Sequence, residues 1–189
     1  MARPSIAQQR RHVIGQARGR VLEIGFGTGL NLPFYTSDVE RLVAIEPNAG
    51  MGRWTRERVG AAKIPVEQHR LAAGGRLPFE DGSFDTVVST WTMCSIRDVA
   101  GALAEAHRVL RGHGRLLFVE HGLSPERGVA KWQRRLTPVF KLFGDGCHLD
   151  RDIEAIVRES PFQVEVMDRF QLPDTPKVGG YTYRGVARK

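Results

Sequence analysis

The sequence predicts an α/β fold: a seven-stranded, mostly parallel sheet with an antiparallel last strand and helices on both faces. Three observations carry this. Short apolar runs alternate with longer amphipathic ones along most of the 189 residues, the pattern of parallel strands joined by right-handed helical crossovers. The first run, VLEIGFGTGLNLPFY from Val21 to Tyr35, leaves its strand through Gly25, Gly27 and Gly29. The last two runs are joined only by Gln171 to Gly180, a length that suits an antiparallel pair.

In chain order, a helical pattern over Ile6 to Ala17 precedes a strand over Arg20 to Ile24. A second strand, Arg41 to Glu46, leads to a helix over Ala49 to Val59, and a third strand covers Pro65 to Leu71. The fourth strand, Phe84 to Thr90, precedes a helix over Asp98 to Leu110 that Asp98 can cap. The fifth strand, Gly114 to His121, leads to a helix over Pro125 to Phe143, opened by Ser124 and Pro125, which Pro138 should kink or split. A helix over Arg151 to Glu159, with Asp150 as its cap, precedes the last strands, Gln163 to Phe170 and Tyr181 to Ala187.

Composition narrows the class. A 41% hydrophobic and 26% charged chain of this length has the apolar content for one globular domain, residues 1–189. No stretch has the length of a membrane span, and MARPSIAQQRRHVIGQ lacks the apolar core of a secretory signal, so a cytoplasmic protein is expected. Cys94 and Cys147 lack the CxxC spacing of a metal or redox site and are read as free thiols, with no metal expected. The net charge of +7 raises nucleic-acid binding, but the arginines are dispersed, with doublets only at Arg10/Arg11 and Arg134/Arg135. A solvated basic surface is the preferred reading, and no nucleic-acid partner is expected.

The glycines mark a ligand site. In open α/β sheets ligands bind beyond the carboxyl ends of strands, where strand order reverses, and the loop after the first strand carries much of the contact. Glu46 ends the second strand about twenty residues further on, where a carboxylate can accept the hydroxyls of a ribose. Loop and carboxylate together indicate an adenosine-type ligand. The glycine spacing is GxGxG, unlike the GxGxxG of dinucleotide sites, and Glu23 suits a cationic ligand better than a diphosphate.

Glu23, the three glycines, Glu46 and the run LPFEDGSFDTVVST resemble the class I S-adenosylmethionine-dependent methyltransferases. EAHRVLRGHGRLLFVEHG, Glu105 to Gly122, is similar to the helix and fifth strand of that superfamily, so the likeness extends over nearly the whole chain. It implies a Rossmann-like fold and S-adenosyl-L-methionine as cofactor. It also implies that Glu23, Gly25, Phe26, Gly27, Thr28 and Gly29 surround the methionine and ribose portions, with Glu46 on the ribose and Pro47 on the adenine. Leu71 and Ala72 would pack against the adenine, since LAAGGRLPF offers no acid there, and Thr90 and Trp91 would lie near the transferable methyl.

STWTMCSIRD and WQRRLTPVFKLFGDGCHLDR resemble a methyltransferase-like subgroup that includes eukaryotic enzymes acting on small alkyl thiols, through Met93-Cys94-Ser95 and Asp145-Gly146-Cys147. Eukaryotic members carry a hydrophobic N-terminal anchor that this sequence does not show. The resemblance implies methyl transfer to a small, apolar acceptor, with a thiol favoured and a quinone or lipid-type C, N or O acceptor as the alternative. An NAD-type oxidoreductase and a non-catalytic cofactor-binding module are the other classes.

A thiol's ordinary pKa of roughly 8.5 makes a nearby base or cation useful, and the candidates are His121, Asp145 and His148. Each has a plainer reading: a strand-end imidazole, a turn-forming Asp-Gly and a solvated loop histidine. No NPPY-like segment follows the fourth strand, and no Asp-Asp-Asn cluster suggests magnesium. The helix around Trp132 has apolar Trp132, Leu136, Val139, Phe140 and Phe143 among Lys131, Arg134, Arg135 and Lys141. It could pack on the sheet, cover an acceptor pocket or make peripheral membrane contact. Oligomeric state is not read from the sequence.

Overall fold

In the computed structural model, which describes residues 3–48 and 52–189, seven strands form one sheet in the order β3-β2-β1-β4-β5-β7-β6. They are β1 (Gly19–Ile24), β2 (Val39–Ile45), β3 (Val66–His69), β4 (Phe84–Thr90), β5 (Leu110–His121), β6 (Gln163–Gln171) and β7 (Tyr181–Arg188). The first five are mutually parallel, and β7 runs antiparallel to both β5 and β6. The expected sheet is therefore present, and strand order reverses between β1 and β4.

Alternating side chains send the strands' residues to two cores. Leu22, Val43, Val87, Leu116 and Phe118 meet α3 (Val99–Val109) and α5 (Ile153–Glu159) through Ala102, Leu103, Ile153 and Val157. On the opposite face Val21, Leu42, Val88, Leu117 and Val119 cluster with Val13, Ile14 and Ala17, at and just after the end of α1 (Pro4–Ile14). α2 (Arg53–Gly60), α4 (Arg127–Phe143), a 3-10 turn at Leu32–Phe34 and a one-turn α6 (Lys177–Gly180) complete the described residues. The expected start of the second helix at Ala49 lies outside them.

Several local expectations change. Asp98 does cap α3, accepting from the Gly101 N–H, but α5 is capped by Asp152, which accepts from the Ala155 N–H. Asp150 is engaged elsewhere, accepting from the Thr137 hydroxyl at 2.9 Å. A tertiary partner has displaced a local role. Ser124 bonds the Glu126 N–H in the turn before α4 rather than capping the helix. α4 runs through Pro138 as one helix, so the proline does not split it.

Its burial is also unusual, because only Ala130, Gln133 and Thr137 are enclosed. Trp132, Val139, Phe140, Leu142 and Phe143 are exposed, Phe143 by 81%.

The antiparallel half of the sheet depends on one small residue. Gly185 of β7 lies between Phe118 of β5 and Met167 of β6, and a Cβ there would run into the Phe118 ring and the Val166 carbonyl. Gly185→Ala should therefore lower unfolding stability by about 1–3 kcal/mol through overpacking, measured by urea denaturation. An unchanged midpoint would contradict that packing.

Candidate functional site

A cavity of about 560 Å³ opens where the strand order reverses, a size suited to a small-molecule ligand. Its floor is the loop leaving β1. The N–H groups of Gly25 and Phe26 both donate to the Ile45 carbonyl, at 3.0 and 3.2 Å, and so fasten the loop to the end of β2. Gly25 has φ +75° and its missing Cβ would collide with Thr92, so both conformation and space require glycine. Gly27, with φ +53°, faces open space, with no atom within 4 Å of where a Cβ would be.

Glu46, directly after β2, holds this loop. Its Oε2 accepts from the Gly27 N–H at 2.9 Å and its Oε1 from the Asn48 N–H at 3.2 Å. Phe26, Thr28, Pro47, Leu71 and Ala72 join Gly25, Gly27 and Glu46 in the wall, and Thr90 and Trp91 close the β4 side. Trp91 has φ +51°, rare for a bulky residue. Its N–H is held by the Val119 carbonyl at 2.8 Å, and its ring stacks with the guanidinium of Arg10 at 4.9 Å. Arg10 also donates to Thr90 and Asn31, and burial pulls its pKa down while Glu23 and Glu120 oppose that shift.

Two expected cofactor contacts fall outside the cavity lining. Glu23 is fully buried, accepting from Asn31 Nδ2 at 2.8 Å and from the Tyr35 hydroxyl at 2.7 Å. Burial pushes its pKa up to about 7, against the lowering effect of those two hydrogen bonds and of Arg10. Its place on β1 gives the reason: Ile24 reaches the cavity and Glu23 points to the other face. Gly29 is turned into the loop, where a Cβ would press on Leu32 and Phe26.

The three candidate catalytic residues are not gathered at one point. Asp145 lines the cavity, has φ +53° and accepts from Asn48 Nδ2 at 2.8 Å. That bond joins the segment after α4 to the loop after β2. His121 and His148 do not line the cavity. His121 is buried with Nε2 3.2 Å from Cys147 Sγ, and His148 donates its backbone N–H to the Cys94 carbonyl at 2.9 Å.

Sequence reasoning missed several wall and support residues. Arg10 stood out only as half of the Arg10/Arg11 doublet, which points to a solvated basic surface and not to a cavity wall. Glu120 did carry a signal, a carboxylate inside the apolar run LLFVEH. It is completely buried and accepts from the Ser89 hydroxyl and the N–H groups of Thr92 and Met93, at 2.7, 2.8 and 3.1 Å. Burial pushes its pKa up to about 7, opposed by the Ser89 hydrogen bond and those from the backbone. It thereby fixes the turn that follows β4.

The lining suits a nucleoside. A carboxylate stands at the tip of β2, a glycine leaves room beside it, and Pro47, Leu71 and Ala72 offer an apolar wall for a base.

Known proteins identify the family. The family model described as "Methyltransferase domain" matches residues 22–118. Thiol S-methyltransferase TMT1B of Rattus norvegicus is 34% identical over 156 residues, covering 81% of this chain. The chain spans 63% of that relative's length. Phosphatidylethanolamine N-methyltransferase of Cereibacter sphaeroides is 31% identical over 159 residues, covering 84% of this chain and 75% of the relative. Among solved structures, a geranyl diphosphate methyltransferase in complex with SAM superposes with a TM-score of 0.72 at 15% identity, over 96% of this chain and 83% of its own. That last likeness is one of fold.

Proposed function

Because this chain belongs to the S-adenosylmethionine-dependent methyltransferases, we propose that it transfers the cofactor's methyl group to a small apolar acceptor, a thiol by preference. The observation that carries the reading is the cavity at the strand-order reversal, with Glu46 beside the open face of Gly27. When bound, the cofactor supplies a methyl carbon made electrophilic by a positively charged sulfur.

The protein's part is binding and alignment. Glu46 accepts the ribose hydroxyls, Gly25, Phe26, Gly27 and Thr28 border the ribose and methionine portions, and Pro47, Leu71 and Ala72 pack on the adenine. Thr90 and Trp91 stand at the methyl end, with the turn behind them held by Glu120. Glu23 acts at one remove, through the Asn31 and Tyr35 that it fixes. An in-line displacement gains much of its rate from holding nucleophile, carbon and sulfur in line with water excluded. Asp145, in the cavity wall, is the remaining candidate to receive an acceptor's proton.

The thiol S-methyltransferase relative supports the thiol preference. A second reading, a quinone or lipid-type acceptor, has support from the phosphatidylethanolamine N-methyltransferase relative and from α4. No helix among the described residues is long and apolar enough to cross a membrane. The exposed apolar residues of α4, interspersed with Lys131, Arg134, Arg135 and Lys141, fit a peripheral contact instead.

Three outcomes are expected. Glu46→Ala should weaken S-adenosylmethionine binding by about 1.5–3 kcal/mol in titration calorimetry, and unchanged affinity would remove the ribose role. In a panel of thiols, quinones and amines with labelled cofactor, alkyl thiols should carry the label; a panel in which thiols alone stay unlabelled would replace the preferred reading with the second. In flotation with anionic vesicles the chain should rise, and Phe143→Ser should reduce that fraction. Recovery entirely at the bottom of the gradient would end the membrane reading.

A further inference from the structure

Two cysteines separated by more than fifty positions in the sequence meet one imidazole behind the segments that bring Ser95 and Asp145 to the cavity. Cys94 Sγ, a His121 ring nitrogen and Cys147 Sγ all lie within 4.8 Å of one another, and Cys147 Sγ is 3.2 Å from His121 Nε2. The two thiols are unbridged. With bonds near 2.3 Å to sulfur and 2.0–2.1 Å to nitrogen, a four-coordinate zinc-like cation holds its ligand atoms roughly 3.3–3.8 Å apart. Small side-chain rotations would bring the three atoms to that spacing.

The ring's other nitrogen, Nδ1, is buried without a hydrogen-bond partner among the described residues. A thiol contact alone is weak compensation for burying an imidazole. The charges also suit a dication: two thiolates would neutralise it, and Glu120 and Arg151, which meet at Met93 beside Cys94, are of opposite sign.

We propose that Cys94, His121 and Cys147 form a three-ligand site for a thiophilic divalent cation such as Zn²⁺, whose fourth position takes the thiol acceptor. The second half rests on the thiol reading above. The support for that fourth position is the path of the chain. Ser95 and Asp145 both line the cavity, one next to Cys94 and the other two residues before Cys147. Three protein ligands with an exchangeable fourth position is the arrangement of catalytic zinc, whereas structural zinc is closed by four.

An acceptor thiol gives up its proton to the buffer as it binds such a cation. Its sulfur lone pair then forms the new bond to the methyl carbon, and the electron pair of the broken bond stays on the cofactor's sulfur. The methylated product is a thioether, a weaker ligand, and leaves. Atoms and charge balance with no further reactant.

The test uses the full chain, reduced and stripped with a chelator, and titrated with Co²⁺. One ion per chain is expected, with the thiolate charge-transfer and intense d–d bands of a four-coordinate ion. Zn²⁺ should displace it and protect Cys94 and Cys147 from maleimide labelling, read by mass spectrometry. Cys147→Ser should lower affinity at least about tenfold while leaving S-adenosylmethionine binding in place. The protection measurement decides the matter if the variant does not fold. Weak six-coordinate bands, no protection, or an unchanged affinity in Cys147→Ser would overturn the site.

An alkyl thiol should then shift the d–d bands, and bands indifferent to thiol would overturn the acceptor role. Four-coordinate bands together with no thiol methylation would sink the thiol reading and leave the metal site standing.

Discussion

Carboxylates at the ends of strands hold the loops that make the cavity. Glu46 beyond β2 binds the Gly27 N–H, Glu23 on β1 binds Asn31 and Tyr35, and Glu120 on β5 binds the N–H groups of Thr92 and Met93. In each case a residue on a strand or directly after one satisfies donors on an irregular loop, donors that would otherwise be costly to enclose. Glu23 and Glu120 go further, because both are taken wholly out of water. The loops therefore keep their shape without relying on a ligand to order them.

That arrangement separates two jobs. The β1, β2 and β3 side of the cavity is built from backbone, one carboxylate and small apolar residues, which suits recognition of a fixed cofactor. The β4 side combines a bulky aromatic in a rare backbone conformation, an arginine from α1 and a segment arriving from beyond α4. Those elements come from distant parts of the chain, so that side, where the proposed function puts the acceptor, can change while the sheet stays intact.

The sheet was legible because alternation, strand length and the short Gln171–Gly180 link are local properties. So were the Gly25–Gly29 loop and Glu46, whose spacing follows from the length of one crossover. Glu23 was misdirected for want of a parity argument: Ile24 reaches the cavity, so its neighbour on a strand must face away. Asp150 was taken for a cap when Asp152 fills that place and Thr137 claims Asp150, a choice made by tertiary contact. Arg10 and the meeting of Cys94 with Cys147 were out of reach for the same reason: no spacing rule links positions brought together only by the assembled sheet.

Gly27 and Gly25 look alike in the sequence but face different judges. At Gly25 a side chain meets Thr92, and folding itself rejects the change. At Gly27 it meets nothing among the described residues, so the scaffold loses only the left-handed backbone cost of about 1–2 kcal/mol, while the new atoms enter the cavity. On the proposed function, a descendant altered there would keep its fold and lose room for the cofactor, so the drift from enzyme to inert relic would be a single codon long.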